Sequence, residues 1–243
     1  MEKKSNLKLK IATEALSLIF SLGICSTVWA ISLYFIFYLY SSAYYFALIF
    51  VPLFSCLLYI GMIFTLRCLL PRVRPGRYII GKDSMSLIWF LHMNLNRSAK
   101  AVGLLQIIKS SNILKYLFYK ALGAKIAYAT NFSMDLEIAD PQLTRIDEDV
   151  IIGGQCYLGG HIVEGNKLIL GPIHLKKSSF VSFRCIIGPG SILEEGSVVG
   201  PGNSVHKRTV KKGEKIPTLA WAGGPPRAES SVPRTQETSN VHH

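Results

Sequence analysis

The strongest constraint on this fold is a series of aliphatic residues spaced six apart in the second half of the chain. The series is Leu175, Val181, Ile187, Leu193, Val199 and Val205, and the same spacing occurs upstream at Ile146, Ile152 and Leu158. This period is neither that of an α-helix nor that of a long strand. It predicts a solenoid of short flat strands joined by tight turns, in which each aliphatic side chain points inward and stacks on its neighbour one coil away.

The residues between these aliphatic positions are small or turn-forming, as the corners of such a coil require. Examples are Gly188-Pro189-Gly190-Ser191 and Gly200-Pro201-Gly202-Asn203. The units 187–192 and 199–204 resemble the hexapeptide repeats of the left-handed β-helix acyltransferases. That resemblance implies an all-β left-handed β-helix over residues 122–227, three hexapeptides per triangular coil and a homotrimeric assembly.

The first third of the chain is apolar and lacks charge. No Asp, Glu, Lys or Arg occurs between Ala15 and Leu66, and a small polar break at 41–43 divides the stretch in two. A helix needs about 20 apolar residues to cross the hydrocarbon core. We therefore expect a transmembrane hairpin in region 1–70, with helices from about Ala15 to Tyr40 and from about Tyr44 to Leu70. A signal peptide is the alternative for the first helix, but the apolar stretch is too long for one.

Positive charge flanks this predicted hairpin and is absent from its loop. The flanking residues are Lys3, Lys4, Lys8 and Lys10 before it and Arg67, Arg72, Arg74 and Arg77 after it. Because basic residues stay on the cytoplasmic side, both ends should face the cytoplasm from the inner (cytoplasmic) membrane. The five cysteines show no paired spacing, so reduced thiols are expected.

Residues 71–121 begin with a connector rich in Pro and Gly and continue with a helical pattern. From Ser84 to about Leu122, apolar positions alternate with basic ones, which are Arg97, Lys100, Lys109, Lys115 and Lys120. Such helices either lie on an anionic leaflet or pack on the soluble domain with a solvated basic face. Nucleic acid is not an expected partner, because no binding motif accompanies these residues.

The six-residue register fails between Leu158 and Leu175, and this interruption contains His161 and Glu164. A break in a solenoid loses stacking contacts, so it is a reasonable place to look for a site. Imidazole can accept a proton near neutral pH, as acyl transfer from a thioester to a hydroxyl or amine requires. Glu164 would then orient the ring, as the carboxylate of a catalytic triad does. The alternative is that His161 is an exposed turn histidine.

The segment 160–164, taken together with 122–126 and 137–141, resembles a particular branch of the family. That branch is the membrane-associated C-terminal domain of polylysine-synthetase-type nonribosomal peptide synthetases. The resemblance implies a catalytic base at His161 and an acid at Glu164. The sequence shows no adenylation or carrier domain, so the donor thioester is either acyl-CoA or an acylated or aminoacylated carrier.

The segment 216–227 resembles the closing segment of the family, which lines the nucleotide end of the donor. The resemblance implies that Trp221, Gly223, Gly224 and Arg227 bind the donor, and Lys207 is a further candidate for its phosphates. The alternative is a C-terminal capping loop with solvated charges. Glu137 and Asp140 belong to an acidic cluster in a chain of formal net charge +12 and are candidates for binding an amine of the substrate. Residues 228–243 are expected to be disordered.

These observations predict a membrane-anchored acyltransferase that transfers an acyl or aminoacyl group to a hydroxyl or amine of a lipid or lipid-linked acceptor, without a metal. One alternative is a non-catalytic membrane scaffold or lipid-binding β-helix. Another is a zinc-dependent β-helix enzyme, although His161, His174 and His206 lack the close histidine pair of such sites.

Overall fold

The computed structural model of this chain describes residues 2–42 and 44–218. An N-terminal helical part is followed by a β-solenoid. The helices are α1 (Glu2–Ser41), a 3-10 helix (Tyr45–Phe50), α2 (Val51–Leu69), α3 (Ser84–Val102), α4 (Leu105–Ser110) and α5 (Asn112–Ala121). The first strand of the solenoid begins at Lys125, shortly after α5 ends.

Two stretches of the helical part, Ala12–Ser41 and Tyr45–Leu69, are long and apolar enough to cross a membrane. Only 17% and 28% of their most apolar windows are buried inside the protein. Large apolar side chains point away from it, and Tyr34, Phe46 and Ile49 are 72%, 97% and 78% exposed. The core helices of a soluble domain would instead bury such side chains.

The helix α3 packs along both apolar helices. The Trp29 indole N–H donates to the Val102 carbonyl at 3.1 Å. The hydroxyls of Tyr59 and Ser98 share a hydrogen bond of 2.9 Å. Ser17 also donates to the Asn94 side chain. The basic amphipathic segment is thus packed against the protein through α3 rather than separate from it.

The solenoid has three parallel sheets, and successive strands along the chain pass from one sheet to the next. The first sheet contains β2 (Lys125–Ile126), β5 (Thr144–Ile146), β10 (Ile173–Leu175), β13 (Ser191–Leu193) and β16 (Thr209–Val210). The second contains β3 (Asn131–Phe132), β6 (Ile151–Ile152), β11 (Phe180–Val181), β14 (Val198–Val199) and β17 (Lys215–Ile216). The third contains β4 (Glu137–Ile138), β7 (Tyr157–Leu158), β12 (Ile186–Ile187) and β15 (Ser204–Val205).

The predicted aliphatic positions stack in columns inside this prism. Leu175 pairs in register with Leu193, Val181 with Val199, and Ile187 with Val205. All six are at most 2% exposed. The structure is a parallel β-solenoid of about five turns, consistent with a left-handed β-helix, so the predicted fold class is confirmed.

The helix α5 covers the N-terminal end of the stack. Lys115 is 2% exposed, and its ammonium donates to the carbonyls of Phe132 and Ser133 at 3.1 and 3.3 Å. The Tyr119 hydroxyl donates to the Leu136 carbonyl at 3.3 Å. A solenoid needs such a cap, because its terminal coil otherwise exposes an apolar face and unpaired strand edges.

The interruption of the register forms a β-hairpin that projects from the solenoid. Its strands are β8 (His161–Glu164) and β9 (Lys167–Leu170), and β9 also pairs with β1 (Gly76–Ile79) from the connector after α2. Leu168 and Leu170 of β9 pack in one buried cluster with Trp89 of α3. The hairpin therefore ties the solenoid to the helical part next to His161.

Candidate active site

The centre of the site is a buried hydrogen-bonded array of Trp89, Asp140 and His161. Nδ1 of His161 lies 2.6 Å from Oδ2 of Asp140, and the Trp89 indole N–H donates to Oδ1 of the same carboxylate at 2.8 Å. The Asp140 side chain is fully buried, whereas the His161 ring is 20% exposed. The indole and imidazole rings also touch, with centroids 4.8 Å apart.

This array assigns the roles of the two imidazole nitrogens. An ionised carboxylate only accepts hydrogen bonds, so Nδ1 of His161 donates to Asp140. In the neutral ring Nε2 then has a free lone pair. A buried carboxylate is costly unless it is hydrogen-bonded, and here both oxygens of Asp140 have a donor. The array can hold an imidazole in the orientation and tautomer that a general base needs.

A local irregularity of the solenoid positions Asp140. The inward residues Ile138 and Ile146 are eight apart rather than six, and the 3-10 helix Pro141–Leu143 occupies the extra length. The Thr144 hydroxyl donates to the Asp140 carbonyl at 2.9 Å and fixes this turn. The eight-residue gap is a second break in the register, and it is the sequence signal that could have identified Asp140 as a partner of His161.

Glu164 does not occupy the position that the sequence suggested for it. Its carboxylate is 59% exposed and lies 3.8 Å from the Lys207 ammonium, while His161 is bonded to Asp140. His161 and Glu164 are the two ends of β8, so about 10 Å separates them and they point to opposite faces of the strand. The orienting carboxylate in this structure is Asp140. Lys207, a candidate for donor phosphates, is paired with Glu164.

The two residues expected to bind an amine lie at different depths. Asp140 is fully buried, so its carboxylate is not accessible to a substrate and contacts His161 instead. Glu137 has a half-exposed side chain, and its carboxylate lies 3.9 Å from the Lys100 ammonium. Exposed pairs of this kind contribute little to stability, so Glu137 stays available to another cation.

The helix α3 forms one wall of the site. The Asn96 amide donates to the carbonyls of Ile138 and Ala139 at 2.7 and 3.1 Å, which fixes α3 against β4 and Asp140. Tyr157 of β7 belongs to the same area: burial raises the pKa of its hydroxyl, the charges of Asp140 and Glu137 raise it further, and Arg97 lowers it. Sequence reasoning assigned Tyr157 no role and placed Arg97 only among the basic residues of the amphipathic segment, because nothing in the local pattern brings either of them toward Asp140.

Four of the predicted donor-binding residues, Trp221, Gly223, Gly224 and Arg227, lie outside the described residues. Of the other histidines considered, His174 is bonded to Asp147 at 2.8 Å. Within residues 2–42 and 44–218, no three His, Cys, Asp or Glu side chains form a group that could hold a metal ion.

Comparison with known proteins identifies one relative by sequence. The chain is 35% identical over 116 residues to delta-poly-L-ornithine synthetase of Acinetobacter baumannii (strain AB307-0294). The match covers 48% of this chain but only 8% of that protein, so this chain corresponds to a small part of it. No protein-family model matches the chain.

Two solved structures share part of the architecture at low similarity. A hexapeptide-repeat acetyltransferase of Vibrio cholerae O1 biovar eltor, complexed with acetyl coenzyme A, has a TM-score of 0.38 and 13% identity, over 58% of this chain and 85% of that one. Serine acetyltransferase of Neisseria gonorrhoeae, in complex with serine, has a TM-score of 0.16 and 13% identity, over 49% and 52%. These two likenesses carry no argument about activity. The stacked six-residue coils show a hexapeptide-repeat β-solenoid, and part of this chain is similar to a segment of delta-poly-L-ornithine synthetase.

Proposed function

We propose that this protein is a membrane-anchored acyltransferase with His161 as its general base. The observation that carries the proposal is the Trp89–Asp140–His161 array, in which a buried carboxylate orients a partly exposed imidazole. The donor is a thioester, acyl-CoA or an acylated or aminoacylated carrier, and the acceptor is a hydroxyl or amine of a lipid or lipid-linked molecule. The relationship to a poly-amino-acid synthetase supports an acyl or aminoacyl substrate.

In the proposed reaction, Nε2 of His161 takes the proton of the acceptor hydroxyl or amine as that group attacks the thioester carbonyl carbon. Asp140 acts as a positioning residue, and its negative charge stabilises the imidazolium that forms. The tetrahedral intermediate then breaks its carbon–sulfur bond. The imidazolium returns the proton to the departing sulfur, so the products are the acylated acceptor and a free thiol.

The packing of α3 supports an acceptor that arrives from the membrane. Trp89 at one end of α3 holds Asp140, and Val102 at the other end accepts a hydrogen bond from Trp29 of the apolar α1. One rigid helix therefore connects the site to the proposed membrane hairpin. We place this hairpin in the inner membrane with both termini in the cytoplasm, because basic residues flank it on that side only.

The remaining parts of the proposal rest on the family resemblance. Trp221, Gly223, Gly224 and Arg227 would line the donor, with a trimer placing a second solenoid against the cleft. Lys207 would have to leave Glu164 to reach a phosphate. Glu137, at the rim, is the carboxylate we propose for an amine on the acceptor or on an aminoacyl donor.

The test is a thiol-release assay on the full chain, purified in detergent, with a panel of acyl-CoA donors and membrane lipid extract as acceptor. His161→Ala should lower the rate by about a hundredfold or more. His174→Ala is the matched control, because this histidine is also partly exposed and paired with an aspartate. A His161→Ala rate within a few fold of the parent would overturn the proposal. Absence of turnover with every donor would favour a scaffold, and stoichiometric zinc in the protein would favour a metal enzyme.

A further inference from the structure

A cavity of about 520 Å³ lies where α2 ends and the solenoid begins. Its walls come from three separate segments: the last turn of α2 and the connector after it, the middle of α3, and the first two coils. Three of its side chains are basic, Arg67, Arg72 and Lys125. None of the described residues that line it is acidic.

These three cations lack the partners that surface cations commonly have. Across the described part of the chain, none of Arg67, Arg72 and Lys125 forms an ion pair. Like charges in one cavity repel each other unless an anion or solvent screens them. The arrangement therefore favours a group of negative charge between them.

Two further features of the cavity concern hydrogen-bond donors, the guanidinium of Arg67 and the side-chain amide of Gln142. Gly123 has a left-handed φ of +104°, and a Cβ there would come within 3.0 Å of Nε of Arg67, so the guanidinium lies where a side chain would be. Gln142 lines the cavity, and its buried Nε2 has no hydrogen-bond partner among the described residues. A buried amide donor without an acceptor is unfavourable, and an oxyanion in the cavity would supply one once the Gln142 amide turns toward it.

The location indicates where such an anion comes from. Arg67 is in the last turn of the apolar α2, which ends at Leu69, so the cavity lies at the level of the lipid headgroups if α2 spans the membrane. A neighbouring cavity of about 360 Å³ shares Val73, Lys125 and Gln142 and gives room for headgroup substituents. Basic pockets beside membrane helices are the usual binding places of anionic headgroups.

We propose that this cavity is a phosphate-binding site that takes the headgroup of an anionic membrane lipid. Arg67 and Arg72 would bind phosphate oxygens with their guanidinium forks, Lys125 would add charge, and Gln142 would donate its amide N–H. The source of the phosphate rests on the membrane anchoring in the proposed function. The site is distinct from the array at His161, because Trp89, Asp140 and His161 are not among the described residues that line this cavity.

The experiment measures binding to the full chain in detergent, without any thioester, by titration calorimetry and native mass spectrometry. The probes are dioctanoyl phosphatidic acid, dioctanoylglycerol and glycerol 3-phosphate. We expect saturable binding of phosphatidic acid, no binding of dioctanoylglycerol, and at least about tenfold weaker binding in Arg67→Gln and in Arg72→Gln. Arg74→Gln is the matched control, because it removes the same charge from the same connector outside the cavity.

The outcomes separate the possibilities. If Arg74→Gln weakens binding as much as Arg67→Gln, diffuse electrostatic attraction explains the effect and the proposed site is wrong. If glycerol 3-phosphate binds as tightly as phosphatidic acid, the lipid source is wrong and the ligand is a soluble phosphate. If Arg67→Gln does not fold, Lys125→Gln, at an outward position of β2, must show the same loss. Absence of phosphatidic acid binding overturns the proposal. Thiol release by His161 is not measured, so failure here and failure of the acyltransferase proposal remain distinguishable.

Discussion

At the scale of single residues, the central feature is a carboxylate buried completely in an otherwise basic protein. An indole and an imidazole both donate to the carboxylate of Asp140, so each of its oxygens has a partner. Removing either donor would leave a buried oxygen without a partner, which costs about 1–3 kcal/mol. The same two contacts fix the imidazole of His161, so stability and the proposed chemistry depend on one array.

We expect Asp140→Asn to lower kcat/KM by about a hundredfold or more, because the amide no longer fixes the tautomer or stabilises the imidazolium. Glu164→Gln should stay within about threefold, since Glu164 is exposed and lies at the far end of β8. The measurements are kcat and KM for thiol release, together with the melting temperature of each variant. In Asp140→Asn the loss should be in kcat with the melting temperature little changed, a split that a merely structural loss would not produce. Equal losses in the two variants would contradict the assignment.

A second residue-scale prediction concerns His92, whose ring lies 3.0 Å from the Pro71 carbonyl. Burial lowers the pKa of His92, the Pro71 carbonyl partly opposes this, and Arg67 lowers it further. Below about pH 6.5 the unfolded chain binds a proton at His92, whereas the folded chain binds it only at a lower pH. The free energy of unfolding therefore decreases as the pH is lowered through this range.

His92→Gln should reduce this loss of stability below pH 6.5, because glutamine can donate to the Pro71 carbonyl without titrating. Melting temperatures in detergent at pH 7.5 and pH 5.5 provide the measurement. The control is His206→Gln, at an exposed histidine of the solenoid. An identical pH dependence in His92→Gln and the parent would contradict the prediction.

At the scale of elements, the coils pack so closely that some corners have no room for a side chain. A Cβ at Gly200 would lie 2.7 Å from the Ile216 carbonyl oxygen and the Pro217 carbonyl carbon, which belong to the next coil. Gly196 differs: a Cβ there meets nothing within 4 Å, but its φ of +67° is left-handed. The solenoid thus uses glycine for two separate physical reasons.

Gly200→Ala should lower the free energy of unfolding by about 1–3 kcal/mol, because the last coil has to move away. Gly196→Ala should cost about 1 kcal/mol, from backbone strain alone. Denaturant titration in detergent measures both variants, and limited proteolysis should show earlier cleavage near Pro217 in Gly200→Ala only. Equal rates of cleavage near Pro217 in the two variants would contradict this account of the packing.

At the scale of the whole molecule, the helical part and the solenoid are joined through α3 and the β8–β9 hairpin. The apolar surface of α1 and α2 faces outward, whereas the solenoid buries its aliphatic columns. We propose that a bilayer surrounds these helices, because a large exposed apolar surface is unfavourable in water. The orientation that we propose for the hairpin rests on the basic residues beside it.

Thiol labelling tests that orientation, because Cys68 is exposed at the end of α2 and the loop between the spans contains no cysteine. In intact spheroplasts a membrane-impermeant maleimide should leave the parent unlabelled and should label Ser41→Cys. Lysis should make Cys68 reactive. Labelling of Cys68 before lysis would place the solenoid on the opposite side and contradict the predicted topology.

The architecture could be predicted from the sequence alone because the spacing of apolar residues within each segment indicates which of its side chains are buried. A six-residue period is the spacing at which each short strand buries one aliphatic side chain, so Leu175, Val181 and Ile187 predict their stacking without knowledge of any partner. The length and apolarity of the charge-free stretch 15–66 likewise predict two long apolar helices without knowledge of their contacts. The register break also located His161, since a lost stacking contact is visible in the sequence.

Only the tertiary structure decided which groups meet. Asp140 lies 21 residues before His161 and Trp89 lies 51 residues before Asp140, and the strand and helix geometry that joins them has no local signature. The nearer acid, Glu164, was the natural sequence candidate, yet an odd separation along a strand sends the two side chains to opposite faces. The cavity of Arg67, Lys125 and Gln142 arises in the same way, because contacts between distant segments are fixed by packing rather than by sequence spacing.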